Sequence, residues 1–149
     1  IYGEIRLFAT RAADHGVKVV LERHNGTLTN SWESAAEVVR AIGHENVALC
    51  YQVPYPADPD DLRTRTADDI AQLLPLPAHA HLQNYAAASD GSLPRTLLSE
   101  GIVDYGPLSA VAARSAWDGW AMVEFVGRVR GELSEEEALA ADLRFISSL

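Results

Sequence analysis

Short apolar runs alternate with amphipathic stretches along the chain. Apolar residues recur at helical spacing from Ile5 to Ala12, and a run rich in β-branched residues follows at 17–22. The same two patterns then alternate to the end of the chain, so that a helical stretch precedes the first predicted strand and another follows each strand. The predicted strands cover residues 17–22, 47–51, 78–83 and 120–125.

Strands that alternate with helices favour an α/β fold with a parallel sheet and right-handed crossovers. The four predicted strands fit two architectures, a flavodoxin-like open sheet and half of a (β/α)₈ TIM barrel. The 149 residues suit one domain, because two domains of this total length would each be small. The chain starts at Ile1 within a helical pattern, and we therefore expect it to be a piece of a longer protein.

Local signals predict helix ends and one irregular segment. Asn30, with Glu33 three residues later, has the spacing of a capping box, and Gly43 is a suitable C-terminal stop for the same helix. A further helix is predicted for 66–74, and a long polar loop for 84–104.

Composition and charge restrict the class of protein. The chain is 48% hydrophobic and 22% charged, which excludes a wholly disordered or collagen-like chain. Acidic residues outnumber basic ones by 21 to 12, and the net charge of -9 argues against nucleic acid as the main partner, because phosphate binding needs a basic face. The single cysteine, Cys50, excludes an internal disulfide framework and a multi-cysteine zinc cluster.

No signal for a membrane or for secretion is visible in the sequence. No apolar run approaches the ~20 residues that a membrane-spanning helix needs. Residues 1–10 carry Glu4 and Arg6 and lack the layout of a signal peptide. We therefore expect a cytoplasmic protein without a membrane partner.

Chemically competent side chains stand at the carboxyl ends of all four predicted strands. In a parallel α/β sheet these ends meet at one edge, where functional residues gather. Alternation within each strand places the four side chains on one face of the sheet. Two carboxylates and an imidazole around one point suit a divalent cation. The four residues are Glu22, Gln52, His81 and Glu124.

Each of these residues taken alone is weak evidence for a site. A strand-end glutamate is more often a solvated loop residue, and a lone histidine such as His81 more often makes a structural hydrogen bond. The coincidence on four strands reverses that balance. His24, two residues after Glu22, has two equally weighted interpretations, a contact at the same mouth and a solvent-exposed loop residue. Five other residues are interpreted as packing residues: His79, Cys50, Trp32, Trp117 and Trp120.

Four segments, in this order and spacing, give the chain a family resemblance. It resembles the C-terminal half of the xylose isomerase-like TIM barrels, the sugar phosphate isomerase/epimerase group. That group includes ketose 3-epimerases, hydroxypyruvate isomerases and inosose dehydratases, and it is related to a metal-dependent endonuclease. The resemblance covers nearly the whole chain, so it implies one domain over residues 1–149. The segments are Val-Leu-Glu-Arg-His-Asn-Gly at 20–26, His-Ala-His-Leu-Gln-Asn at 79–84, Glu-Gly-Ile-Val-Asp-Tyr at 100–105 and Asp-Gly-Trp-Ala-Met-Val-Glu at 118–124.

The resemblance implies a metal site with one altered position. In that family a Glu, an Asp, a His and a Glu on strands five to eight hold a divalent metal. The matching positions here are Glu22, His81 and Glu124, but Gln52 stands where the family has Asp. A Gln oxygen can still coordinate a cation, although it brings no charge and is therefore expected to be a weaker fourth ligand.

Two further positions depart from the family pattern. Tyr55 replaces a His that usually follows the second ligand by three residues. Asn84 stands where an Asp often follows the metal His by three residues. These departures leave a non-catalytic relative open as an alternative.

The resemblance implies a metal-dependent isomerase or epimerase of a small sugar, sugar phosphate or polyol-like substrate. The reaction would move a proton through an enediolate, with Glu22 and Glu124 as the catalytic acid and base. His81 would be a ligand only, and His24 would contact the substrate. The expected cofactor is one divalent ion, Mn²⁺, Mg²⁺, Co²⁺ or Zn²⁺. The expected partners are the carbohydrate-like substrate and a missing N-terminal half-barrel or a second copy of this chain, with no nucleic acid and no membrane.

Three alternatives remain at this point. A non-catalytic barrel relative that binds a small ligand is favoured by Gln52 and Tyr55. A metal-dependent AP endonuclease-like enzyme is disfavoured by the acidic balance and by the five histidines, since several metals need several imidazoles. A flavodoxin-like binding domain is disfavoured because no phosphate-binding loop follows the first strand.

Overall fold

A parallel sheet of four strands organises the residues that the computed structural model describes, which are 1–53, 77–115, 117–124 and 133–149. None of the helices in these ranges is long and apolar enough to cross a membrane. The strands are β1 (Val19–Glu22), β2 (Val47–Gln52), β3 (Pro77–Leu82), β4 (Asn84–Tyr85), β5 (Arg95–Thr96) and β6 (Trp120–Val123). The helices are α1 (Tyr2–Ala13), α2 (Trp32–Ile42), α3 (Gly106–Arg114) and α4 (Glu135–Ile146).

The strand order of the large sheet is β1-β2-β3-β6, and every neighbouring pair is parallel. The α/β fold with four parallel strands is therefore confirmed. The predicted strand boundaries differ from the observed ones by one or two residues, and residue 125 lies outside the described ranges. The helix predicted for 66–74 also lies outside them.

The main hydrophobic core lies between one face of the sheet and the helices. Alternate strand residues such as Leu49, Tyr51 and Leu82 are buried there. Trp32 opens α2 and stacks on Tyr51, with ring centroids 5.1 Å apart and planes inclined by 1°. Burying two aromatic rings against each other anchors the start of α2 beside β2.

The opposite face of the sheet is partly open. On this face Trp120 is 76% exposed and Met122 is 44% exposed. The described residues leave most of the Trp120 ring exposed, so its interpretation as a packing residue stays a prediction. The other two tryptophans do pack: Trp32 is buried, and the Trp117 indole N–H donates to the carbonyl oxygen of Pro77 at 2.8 Å.

The cap of α2 differs from the predicted one. Ser31 is the N-cap, and its hydroxyl accepts from the backbone N–H of Ser34, whose own hydroxyl accepts from the backbone N–H of Ser31. Asn30 lies one residue earlier and accepts the Ser34 hydroxyl through its side-chain oxygen at 3.2 Å. Gly43 ends the helix with φ 59°, a left-handed conformation that favours glycine, so the predicted stop is confirmed.

The loop predicted for 84–104 is confirmed for most of its length, but it contains two short strands that the sequence did not predict. β4 and β5 pair antiparallel, and Asn84, the first residue of β4, is completely buried. Its amide nitrogen donates to the carbonyls of Leu98 and Val103, and its oxygen accepts from the backbone N–H groups of Tyr85 and Val103. Asn84 is therefore a structural clamp that ties the segment to the end of β3.

The open sheet face leads to a prediction about association. Among the described strands, β1 and β6 each pair on one side only, and unpaired strand edges beside an exposed Trp120 favour pairing with another chain. The 149-residue chain by itself is expected to sediment as a dimer or larger species. Trp120→Lys, which places a charge on the open face, is expected to weaken that association. A well-folded monomer of the unmodified chain at micromolar concentration would contradict this prediction.

Candidate metal centre

Three side chains converge at the carboxyl edge of the parallel sheet. Glu22 ends β1, His81 lies near the end of β3, and Glu124 directly follows β6. Their ligand atoms all lie within 4.8 Å of one another. The Glu124 backbone N–H donates to the Leu82 carbonyl at 2.9 Å. This hydrogen bond extends the pairing of β6 with β3 and fixes the position of the Glu124 backbone.

Gln52 lies beside the same three groups. Its side-chain oxygen is 3.0 Å from Nδ1 of His81, and that nitrogen is 3.8 Å from Oε1 of Glu124. An amide oxygen can only accept, so Nδ1 of His81 carries the proton and donates in this arrangement. The structure thus brings together the four predicted ligand positions, while their roles as ligands stay a prediction.

The electrostatics of the cluster indicate that the Glu124 carboxylate needs a positively charged or donating partner. Burial, together with the negative charge of Glu22, raises the pKa of Glu124 despite the opposing effect of His81. Oε2 of Glu124 is buried and has no hydrogen-bond partner among the described residues. A carboxylate in this state needs a positive or donating group, because desolvation disfavours its charged form. Two carboxylates and an imidazole around an unpartnered oxygen therefore fit a divalent cation.

Two neighbours on the same face are poor ligand candidates. Burial raises the pKa of the Cys50 thiol to about 12, so the group remains a protonated thiol near neutral pH. His79 packs edge-on against His81, with ring centroids 5.3 Å apart, and burial together with His81 lowers its pKa. Both observations agree with the interpretation of these residues as packing residues.

A cavity of about 340 Å³ opens at this cluster. Its volume falls within the range of ~300–1,000 Å³ that is usual for small-molecule sites. His24 lines it but is exposed, and its Nδ1 lies 3.0 Å from the carbonyl oxygen of Asn25. A substrate contact by His24 stays a prediction. The lining residues are Glu22, Arg23, His24, Asn25, Gln52, Val53, Gln83 and Glu124.

Gln83 is a buried polar residue of the cavity lining that was not predicted from the sequence. The signal was available, because Gln83 follows His81 by two residues and therefore faces the same side as the strand ends. Conversely, Asn84 faces away into its clamp, so its departure from the family pattern has a structural explanation. Tyr55 lies outside the described ranges.

Comparison with known proteins connects this geometry to a family. The family described as xylose isomerase-like TIM barrel matches residues 2–149. None of the curated proteins matches the chain.

Several solved structures share the fold at low sequence identity. A probable 3-DHS dehydratase involved in petrobactin synthesis from Bacillus anthracis is 22% identical, with a TM-score of 0.75 over 98% of this chain and 55% of that one. A xylose isomerase-like TIM barrel protein from Mycobacterium smegmatis in complex with magnesium is 19% identical, with a TM-score of 0.77 over 99% and 48%. A 3-keto-D-glucoside 4-epimerase from E. coli is 18% identical, with a TM-score of 0.70 over 99% and 52%.

The lengths of these structures show which part of the fold the chain covers. The chain is covered almost completely, yet it spans about half the length of each of the three structures. Half of a barrel, the second architecture expected from the strand pattern, is therefore confirmed, and the open flavodoxin-like sheet is not. The chain belongs to the xylose isomerase-like TIM barrel family, and its four parallel strands match about half of such a barrel.

Proposed function

We propose that this chain supplies the metal-binding half of a divalent metal-dependent isomerase or epimerase of a small sugar, sugar phosphate or polyol. The observation that carries the proposal is the convergence of Glu22, His81 and Glu124, whose ligand atoms lie within 4.8 Å of one another beside a cavity that the two glutamates line. Similar structures include a 3-keto-D-glucoside 4-epimerase and a barrel in complex with magnesium, and these support the reaction class and the ion.

The ion would be held by Glu22, His81 and Glu124, with Gln52 as a weaker fourth ligand. A divalent ion in such a site polarises a substrate carbonyl and so makes the neighbouring C–H more acidic. His81 must give up its Nδ1 proton, or present its other nitrogen, in order to bind a cation. The Gln52 oxygen lies 3.0 Å from Nδ1, so it is placed to contact an ion bound at that nitrogen.

The proton transfer is assigned to the two carboxylates. Glu124 is the better general base for a near-neutral reaction, because burial, together with the charge of Glu22, raises its pKa. A base with a raised pKa holds the abstracted proton more firmly. Glu22 is exposed at the other side of the cluster, so it takes a proton from water and returns it to the substrate carbon, while Glu124 releases the abstracted proton to water. Return to the opposite face gives an epimer, and return to the neighbouring carbon gives an isomer.

The experiment that tests this proposal is exchange of substrate C–H protons with deuterated solvent. The whole protein, loaded with Mn²⁺, is incubated with D-fructose, D-allulose, L-ribulose and their phosphate esters. At least one sugar is expected to exchange one carbon-bound proton, and removal of the ion with EDTA is expected to stop the exchange. Exchange at the buffer rate for every sugar would overturn the proposal, and loss of water from the substrate would indicate a dehydratase instead.

One observation favours a second candidate, a non-catalytic barrel that binds a small ligand. The Gln52 oxygen already satisfies the His81 N–H at 3.0 Å, so the imidazole is stable without a cation. This candidate predicts sugar binding with no proton exchange and no dependence on metal.

The substitution at position 52 provides a direct prediction about the ion. Gln52→Asp adds a negative charge at the cluster and is expected to tighten Mn²⁺ binding at least about tenfold, since charges this close interact by more than ~1.4 kcal/mol at the effective dielectric of a protein. Gln52→Asn introduces a side chain of the same shape as Asp but without the charge, so it is the matched control. Calorimetry that gives equal dissociation constants for the two variants would show that this side chain does not face the ion.

A further inference from the structure

Gln83 is buried beside the cavity, and its side-chain amide oxygen has no hydrogen-bond partner among the described residues. The residue is 2% exposed and lines the same cavity as Glu124. An unpaired buried amide oxygen lowers the stability of a protein, so its presence at a cavity needs a reason.

The backbone of Gln83 is held in place by a buried tyrosine. The Tyr105 hydroxyl donates to the Gln83 carbonyl at 2.6 Å and accepts from the Gln83 backbone N–H at 3.1 Å. Tyr105 is 1% exposed, and burial raises its pKa well above the usual value, so the hydroxyl keeps the proton that it donates. Both backbone groups of Gln83 are therefore satisfied, and only the side-chain amide remains for another partner.

Two acceptor atoms of residues that line the cavity, Oε1 of Gln83 and Oε2 of Glu124, have no hydrogen-bond partner among the described residues. A cation explains the carboxylate oxygen but not the neutral amide. A hydroxyl group suits the amide, because it can donate to the oxygen or accept from the nitrogen. The last torsion of a Gln side chain is soft, so the amide can present either atom to a guest in the cavity.

We propose that Gln83 binds a hydroxyl group of the substrate and that Tyr105 positions Gln83 for this contact. The inference rests on the proposed function and extends it, because it identifies the part of the site that recognises a polyhydroxylated substrate apart from the ion. Gln83 contacts the substrate, whereas Tyr105 acts only through the backbone of Gln83.

The test exchanges the amide for an apolar group of similar length. Gln83→Met in the whole, Mn²⁺-loaded protein is expected to weaken binding of D-allulose, D-fructose or L-ribulose roughly tenfold, the loss of about one hydrogen bond. The same variant is expected to raise the thermal midpoint of the sugar-free protein by about 2–4 °C, because an unpaired buried acceptor is removed. The Mn²⁺ dissociation constant is expected to stay unchanged.

Tyr105→Phe is the second test variant, because it removes one oxygen and keeps the ring. It leaves the N–H and C=O of Gln83 without the hydroxyl, so the thermal midpoint is expected to fall by a few degrees. Sugar binding is expected to weaken as in Gln83→Met, with KM raised more than kcat is lowered. Opposite stability changes with the same loss of affinity distinguish a positioned substrate contact from a packing effect.

Each outcome decides the inference. Equal sugar affinity in wild type and Gln83→Met overturns it while leaving the proposed function intact. A lower midpoint for Gln83→Met also overturns it, because the amide then has a structural partner. If the wild-type protein binds none of the sugars or their phosphate esters, the proposed function fails and the inference fails with it.

Discussion

Glu124→Gln is expected to slow solvent exchange of the substrate proton at least ~10²-fold, the lower range for losing a general base. The amide has nearly the same shape as the carboxylate, so the free energy of unfolding is expected to change by no more than about 1 kcal/mol. An amide oxygen can still contact a cation but cannot usefully accept a proton. Saturating Mn²⁺ therefore separates the loss of the base from weaker binding of the ion.

The matched control for Glu124→Gln is the same chemical change at an exposed glutamate on α2. Glu37 lies on the solvent side of that helix, and Glu37→Gln is expected to leave the exchange of the substrate proton unchanged. Exchange at the wild-type rate in the Glu124 variant would remove this carboxylate from the mechanism, whatever its occupancy by metal.

Asn84→Ala is expected to lower the free energy of unfolding of the whole protein by about 4 kcal/mol. The change strands four buried backbone groups that now bond the Asn84 amide: the carbonyls of Leu98 and Val103 and the N–H groups of Tyr85 and Val103. Each unsatisfied buried group costs about 1–3 kcal/mol, and partial relaxation reduces their sum. Chemical denaturation of the wild type and the variant measures the difference.

Two other substitutions serve as references for Asn84→Ala. Asn46 is half-buried and donates to two carbonyls, those of Ala9 and Val17, so Asn46→Ala is expected to cost about half as much. Gly101→Ala is expected to approach the effect at Asn84, because an added Cβ would lie 2.1 Å from the Asn84 side chain. An Asn84→Ala cost no larger than that of Asn46→Ala would contradict the clamp.

The strand ends could be predicted from the sequence because the signal is local. A β-branched or alternating run fixes which side chains share a face, and parallel pairing then brings the ends to one edge. Glu22, Gln52, His81 and Glu124 were placed together on this basis, and the structure brings them together. The cap of α2 was misplaced by one residue because Asn30 and Ser31 are both competent caps. The choice depends on where Trp32 packs against Tyr51, which is a contact of the folded chain.

The clamp and the open face could not be predicted in the same way. Asn84 bonds groups 14 and 19 residues away, and β4 and β5 have only two residues each, so no periodic pattern marks these strands. Trp120 has a large apolar side chain of the kind found in protein cores, yet its exposure depends on what covers the other face of the sheet. Gln83 carries no special signal as an amide, and only the finding that its oxygen lacks a partner gives it a role.

The most direct test of the central claim counts the Mn²⁺ ions bound per chain of the whole protein and the nitrogen atoms that coordinate each ion. Pulsed electron paramagnetic resonance on the Mn²⁺-loaded protein detects the coordinating nitrogens. We predict one ion per chain with one directly bound imidazole nitrogen, and loss of that nitrogen signal in His81→Asn. His24→Asn and His79→Asn are the controls and are expected to keep it. Substoichiometric binding of Mn²⁺, or a nitrogen signal that persists in His81→Asn, would contradict a centre made by Glu22, His81 and Glu124.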